Sequence, residues 1–300
     1  MERTQCLIIG AGPAGLSAAI YTARAGMDTL VAGCEPKIAG DYDIDNYFGF
    51  PETITGRELI TRGTRQAERF GAKLACQRVL AVHMAEDGSF ACKTDQAEYA
   101  AEAVVIAAGV ARVRPGIANI ADFEGKGVSY CVSCDGFFFR GRTVAVIGEG
   151  DYAANQALEL TNFTPNITIF TQGKTPEMGE GFAQQLAAAG IGVSTSRLVS
   201  LAGDPALTGA RLEDGTEIAL DGLFVAMGQA SALDFAKTLG VICKGAFIEA
   251  DHEQKTNVPG VFAAGDCVGH FMQISVAVGE GAKAGRAAIA HAKARKGKGA

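Results

Sequence analysis

Two of the eight cysteines lie three residues apart, in Cys131-Val132-Ser133-Cys134-Asp135. Such a pair serves as half of a zinc site, as a redox disulfide, or as two inert core residues. Zinc needs two further ligands at suitable spacing, and no second Cys-x-x-Cys exists while His83, His252, His270 and His291 stand isolated. No metal site is therefore expected. The spacing favours a redox disulfide, in which one thiolate attacks an outside disulfide and the second resolves the mixed disulfide. The reacting form is a thiolate, so a nearby base helps, and Asp135 directly follows Cys134. The other six cysteines, Cys6, Cys34, Cys76, Cys92, Cys243 and Cys267, are scattered singly; no disulfide framework is expected, and most of the six read as small buried hydrophobes.

A reactive pair needs a scaffold, and the chain begins with one. Cys6-Leu7-Ile8-Ile9 reads as a buried strand, Gly10-Ala11-Gly12-Pro13-Ala14-Gly15 as a G-x-G-x-x-G turn, and Leu16-Ser17-Ala18-Ala19-Ile20-Tyr21 as an apolar helix. Asp28-Thr29-Leu30-Val31 follows as a second strand, and Glu35 lies where the fingerprint places an acid for a ribose hydroxyl. Glycines let the backbone approach a pyrophosphate, and the helix amino end presents N–H groups and partial positive charge to it. The pattern recurs: Thr143-Val144-Ala145-Val146-Ile147 is a strand, Gly148-Glu149-Gly150-Asp151-Tyr152-Ala153 a G-x-G-x-x-A turn, and Asn166-Ile167-Thr168-Ile169-Phe170 the next strand.

Strand-then-glycine segments at Ala103 to Gly109 and Leu223 to Gly228 would each return the chain to the sheet of its own domain. Val261-Phe262-Ala263-Ala264-Gly265-Asp266 comes too late for the middle fold. The expected fold class is α/β, with two Rossmann-like three-layer domains, the second inserted in the first. Residues 1–112 and 243–300 would form the dinucleotide-binding domain and 113–242 the inserted one, with Val113-Arg114-Pro115-Gly116 and Leu239-Gly240 at the crossings.

Composition agrees. A chain of 300 residues with 48% apolar and 20% charged residues is neither disordered nor short of a core. A net charge of −6 argues against a nucleic-acid partner. Thr4 to Ala23 carries no charge, but its central Gly and Pro residues break it as a membrane helix, and the protein is expected to be cytoplasmic. The basic residues Lys293, Arg295, Lys296 and Lys298 read as a solvated, frayed terminus.

Taken in order, Gly10 to Gly15, Asp45-Asn46-Tyr47, Gly49-Phe50-Pro51, Ile54-Thr55-Gly56, Val128 to Gly136, Val144 to Gly148 and Pro259 to Asp266 resemble the low-molecular-weight thioredoxin reductases over nearly the whole chain. The resemblance implies FAD in the first domain, the redox cysteines in the inserted domain, a thioredoxin-like protein substrate and a homodimer. It makes Asp135 a proton-transfer group beside Cys131 and Cys134. It places Asp266 at the ribityl chain or pyrophosphate and Gln273 and Ile274 at the flavin ring. The expected FAD set is Gly10, Gly12, Pro13, Ala14, Gly15, Glu35, Asn46, Gly109, Gly265, Asp266, Gln273 and Ile274.

The chain also departs from that family. Its NADPH-dependent members carry a His-Arg-Arg run after the inserted domain's second strand, whereas Thr171-Gln172-Gly173-Lys174 stands in this chain. Losing two charge-assisted hydrogen bonds removes about 3–6 kcal/mol of binding. Glu149 replaces a glycine beside the pyrophosphate position, and Tyr152 adds bulk. On the FAD side, Lys37-Ile38-Ala39-Gly40 is a shortened loop and Met272 stands in place of an arginine. Cys267 follows Asp266 and is expected to pack rather than react. In its missing basic run the chain resembles family members that accept electrons from ferredoxin or another flavin source, and that resemblance implies ferredoxin or another non-NADPH donor. The alternatives are an NAD(P)H-dependent reductase with an atypical site, a flavin dithiol oxidase using oxygen, and a non-enzymatic flavin redox sensor.

Overall fold

The apolar runs read above as strands are buried on both faces, as parallel strands between helical layers must be. The structure, a computed structural model, describes residues 1–34, 36–40, 43–110, 115–130, 132–228 and 230–298, with the backbone alone at Ser133, Cys134 and 296–298. Seven α-helices occur among the described residues: α1 (Pro13–Arg24), α2 (Gly56–Arg69), α3 (Val132–Asp135), α4 (Asp151–Leu160), α5 (Glu180–Ala188), α6 (Ala232–Thr238) and α7 (Ile274–Lys298). They are divided between two units, Met1–Ala111 with Ser231–Ala300, and Arg112–Ala230.

In the first unit the strand Glu2–Ile9 pairs in parallel with Thr29–Ala32 on one side and Glu98–Ile106 on the other. Lys73–Ala75 closes the first edge beside Thr29–Ala32. The nine-residue strand Glu98–Ile106 serves two partners along its other side. Its first half pairs antiparallel with Phe90–Thr94, and Val104 to Ile106 pair in parallel with Val261–Ala263. Helices α1 and α7 pack through small side chains. A Cβ at Gly281 would collide with the Ala14 carbonyl, and Ser17 Oγ donates to the Val278 carbonyl at 2.7 Å. The uncharged stretch Thr4 to Ala23 is thus strand, turn and helix.

The second unit carries its own parallel sheet, in the order Gly192–Ser194, Ile167–Phe170, Val144–Ile147, Gly222–Val225, Val128–Ser129. A three-stranded antiparallel sheet of Leu198–Gly203, Leu207–Leu212 and Glu217–Ala219 accompanies it. Both units are Rossmann-like, and the second interrupts the first.

Three expectations need correction. The return crossing lies at Ala230–Ser231, not at 242–243. The amide and hydroxyl of Ser231 both donate to Asp234 Oδ2 at 2.7 Å, starting α6, which packs on Val79–Met84 and Glu98–Ile106 of the first unit. Leu239-Gly240 is that helix's stop: Gly240 has φ +71°, the left-handed geometry that ends helices. Next, Cys34 and Cys76 are not isolated hydrophobes but a disulfide. Their 42-residue separation hides a proximity that the parallel pairing of Thr29–Ala32 with Lys73–Ala75 creates. Finally, Arg295 of the basic tail is not simply solvated: it lies on α7 and donates to the Gly88 carbonyl at 2.8 Å.

Candidate functional site

The first glycine turn is shaped by what cannot fit and by what can. A Cβ at Gly10 (φ +113°) would collide with the Ala107 carbonyl, and one at Gly15 with the Gly10 carbonyl. Among the described residues, the nearest atom to such a Cβ at Gly12 is Pro36 Cβ at 3.8 Å, which leaves room on the ligand side of the turn. Pro13 opens α1, whose first turn holds no acid and whose N-cap, Gly12, supplies no side-chain cap. The first amides of α1 therefore have no acceptor within the helix and face the opening with its dipole. Open space, bare amides and the positive helix end fit a dinucleotide pyrophosphate.

The second fingerprint lies against the first. Gly265 (φ +83°) places its Cα so that a Cβ would sit 2.9 Å from Ala14 Cβ. Its amide donates to Glu280 Oε2 at 2.8 Å, and the other oxygen of that buried carboxylate meets His270 Nδ1 at 2.6 Å. Sequence reasoning missed Glu280. Its signal was a lone acid between Gly279 and Gly281 in a helix packed too tightly for a purely solvated charge. Asn46 and Gln273, 227 residues apart, are brought together, Asn46 Nδ2 donating to Gln273 Oε1 at 2.9 Å. Ile274 begins α7, and Gly109 has φ +68° at the end of its strand segment. Glu35 lies outside the described residues. Cys267 is buried and donates toward the Ala264 carbonyl at 3.3 Å, and burial pushes its thiol up to about 12, so it packs rather than reacts.

In the second unit, Cys131 lies outside the described residues, and Cys134 is described only as backbone within α3. The residues next to them in the chain are held in place. The Val132 amide donates to Gln156 Oε1 of α4 at 3.4 Å. Asp135 Oδ2 accepts from Ser129 Oγ at 2.5 Å, fixing the carboxylate at the end of α3. The aromatic run that follows splits its duties. Phe139 packs edge-on against Phe224, whereas Phe137 and Phe138 are 62% and 75% exposed, with Arg140 over the Phe137 ring. Three consecutive phenylalanines after the cysteine motif were the unread signal for this apolar patch.

The second glycine turn is filled by the chain itself. Glu149 does not point into solvent: one carboxylate oxygen pairs with Lys174, and the other is buried without a partner. The Glu177 amide donates to the Glu149 carbonyl and the Gly179 amide to Asp151 Oδ1, each at 2.7 Å. The Glu177 backbone also bridges that of Gly150 in parallel, so the segment carrying Lys174, Glu177 and Gly179 runs along the turn. Gln172, where an arginine was expected, is buried and donates to the Pro115 and Leu198 carbonyls while accepting from the Leu198 amide. Lys174 is not the sole base nearby, because a Cβ at Gly173 would collide with the Arg197 guanidinium.

Known proteins agree with this geometry. The family model described as pyridine nucleotide-disulphide oxidoreductase matches residues 4–281. The chain is 34% identical over 292 residues to the thioredoxin reductase of Streptomyces coelicolor, covering 93% of this chain and 90% of the relative. It superposes with TM-score 0.95 and 63% identity on the atypical thioredoxin reductase TRi from Desulfovibrio vulgaris Hildenborough, covering 97% of this chain and 98% of that one. A ferredoxin-flavin thioredoxin reductase from Clostridium acetobutylicum superposes with TM-score 0.71 and 26% identity, covering 98% and 99%. Two Rossmann-like units with a cofactor cradle define the class, a flavin-dependent disulfide oxidoreductase. Within it, the chain belongs to the thioredoxin reductases of the pyridine nucleotide-disulphide oxidoreductase family, and its cofactor is FAD. No helix among the described residues is long and apolar enough to cross a membrane.

Proposed function

We propose that the protein reduces the disulfide of thioredoxin or a similar small protein, with electrons from a donor other than NADPH or NADH, ferredoxin being the first choice. The observation that carries the donor reading is the filled second turn. A pyridine nucleotide entering it would have to break the Glu149–Lys174 pair and displace the Glu177–Gly179 backbone. A 2′-phosphate would meet Gln172, whose amide is already spent on the Pro115 and Leu198 backbone. The ferredoxin-flavin enzyme among the structural neighbours supports the same reading.

When bound, FAD supplies the ability to collect electrons singly and deliver them as a pair. The chain supplies the positions. The Gly10–Gly15 turn would hold the pyrophosphate, Gly265 and Asp266 would flank it, and the Asn46–Gln273 bond would orient side chains expected at the flavin ring. Glu35, Pro13, Ala14, Gly109 and Ile274 complete that proposed set. In the second unit, one sulfur of the reduced Cys131–Cys134 pair bonds to a substrate sulfur, breaking the substrate disulfide. The other then closes the Cys131–Cys134 disulfide and releases the substrate dithiol. Asp135, held by Ser129, carries a proton for this exchange. Phe137 and Phe138, which follow the cysteine motif in the sequence, offer the substrate an apolar docking patch. The reading carries a homodimer, which sedimentation of the holoprotein checks.

The test is anaerobic titration of the bound flavin, followed by its visible absorbance. Reduced ferredoxin should bleach it, and micromolar NADPH or NADH should not. Rapid bleaching by NADPH would restore the pyridine-nucleotide reading, which Arg197 beside Gly173 favours. Cys131→Ser and Cys134→Ser should each abolish thioredoxin reduction while retaining FAD; full turnover in either moves the chemistry elsewhere.

A further inference from the structure

The strand Lys73–Ala75 is an edge of the first unit's sheet, and Thr29–Ala32 is its strand partner. The last bond of that ladder runs from the Gly33 amide to the Ala75 carbonyl at 3.1 Å. One residue further along each chain, Cys34 and Cys76 form a disulfide with Cα atoms 4.3 Å apart. This bond sits at the carboxyl ends of parallel strands, where folds of this kind receive their dinucleotide. It is also one residue from the phosphate turn. A Cβ at Gly33 would lie 2.8 Å from the Ala11 nitrogen, and the Ala32 carbonyl accepts from the Gly10 amide at 2.8 Å.

Cys76 is an exposed residue and Cys34 a half-buried one, so the bond joins the sheet edge at the surface and not in the core. Cys6, Cys92 and Cys267, by contrast, are sealed in the core. A surface disulfide on a short edge ladder is the kind that exchanges rather than merely braces.

We propose that Cys34–Cys76 is a second exchangeable disulfide, opened by a protein dithiol of the thioredoxin class, and that its opening loosens the grip of the first unit on FAD. The choice of dithiol rests on the reductase reading above. The attacking thiolate bonds to Cys76 Sγ and the Cys34–Cys76 bond breaks, Cys34 leaving as a thiolate that takes up a proton. The attacker's second thiol then resolves the mixed disulfide and frees Cys76. Two electrons and two protons pass from the dithiol, which becomes a disulfide. The product of the enzyme would thus weaken the enzyme's own cofactor site when dithiol accumulates.

The test uses full-length holoprotein carrying Cys131→Ser and Cys134→Ser, so that the proposed catalytic pair takes no part. The oxidised protein is exposed to reduced thioredoxin, its free thiols are trapped with iodoacetamide, and the peptides are mapped. FAD release on dilution is followed by free-flavin fluorescence. Trapping of Cys34 and Cys76 only after the dithiol, with FAD release faster by about fivefold or more, is the expected result. Free Cys34 and Cys76 before any reductant, a disulfide that the dithiol leaves intact, or unchanged FAD release after trapping each overturns the proposal. Cys76→Ser in the otherwise unaltered chain gives a second route to the release rate, and an unchanged rate there also overturns it. Failure of the reductase reading appears separately, as wild-type protein that passes no electrons to thioredoxin, and leaves the trapping and release measurements standing.

Discussion

The two glycine turns of this molecule share a design and differ in outcome. Each follows a buried parallel strand, each opens a helix, and in each the first glycine backs so closely on a neighbouring carbonyl that a Cβ would collide, with Ala107 in one and Ala226 in the other. Among the described residues the first has only Pro36 near Gly12, and it is bare of acid in its helix's first turn. The second holds Glu149 paired to Lys174, Asp151 bonded to the Gly179 amide, and the Glu177 backbone laid across Gly150. The comparison teaches that strand, glycine and helix make a dinucleotide fold, whereas the middle residues of the turn and the segment passing over it decide whether a ligand can enter.

The same substitution at equivalent points gives the largest expected contrast. Gly12→Asp puts a carboxylate into the open cradle, where a like charge about 5 Å from a phosphate costs about 3 kcal/mol at an effective dielectric of about 20. FAD affinity should fall about a hundredfold, read by flavin fluorescence titration. On the proposed reading Gly150→Asp adds a carboxylate to a turn that takes no working ligand, so bound FAD and ferredoxin-driven turnover should stay within about twofold of wild type. Equal damage from both would break the contrast.

A smaller effect sharpens it. Glu149→Gly combined with Lys174→Gln removes the ion pair but leaves residues 176–179 over the turn. A partly exposed pair of this kind is worth about 1 kcal/mol or less, so NADPH-driven flavin bleaching should improve by about fivefold at most. A jump of a thousandfold would mean that the ion pair alone had closed the site.

The smallest effect concerns the helix that backs the open turn. His291 on α7 packs edge-on to Phe262, and its Nε2 is buried without a partner. Burial, with Arg295 nearby, lowers its pKa from the ordinary 6.5. The unfolded chain then binds this proton more readily than the folded one. Stability contributed by the neutral ring is full above about pH 6.5 and declines as pH falls through that value toward the depressed folded pKa. Thermal melts between pH 8 and pH 5 should show a shallower decline in His291→Gln, and an unchanged slope would remove the group from the account.

Much of this was legible in the sequence, for reasons that differ by residue. Gly10, Gly12 and Gly15 announce themselves because the turn is local and only glycine satisfies it. The filling of the second turn was half legible: Glu149 and Gln172 stood out as departures, but residues 174–179 reach the turn only through tertiary folding. Gln172 shows the limit well, since a missing arginine reads as a lost ligand contact, while its place is a buried bond to the 115 and 198 backbone. The crossing at 230–231 was misplaced because Leu239-Gly240 looks the same whether it ends a helix or leaves a domain. Cys34 and Cys76 are joined by strand order, which spacing does not encode. Glu280 is set by the approach of α7 to the second fingerprint, again a long-range fact. The predicted roles of Glu35 and Cys131 fall on residues outside those described.

The strand Val261–Ala263 completes the first unit's sheet, and Gly265 beside it packs on Ala14 in the proposed FAD cradle. Both are made after the whole second unit has been synthesised. On a ribosome, residues 112–230 can therefore collapse around their own sheet while the earlier half-sheet waits with its Glu98–Ile106 edge unpaired at Val104 to Ile106. Cofactor capture becomes the closing event of biosynthesis. A nascent chain stalled before Val261 should carry a folded insert, an open sheet edge that invites chaperones or aggregation, and no flavin.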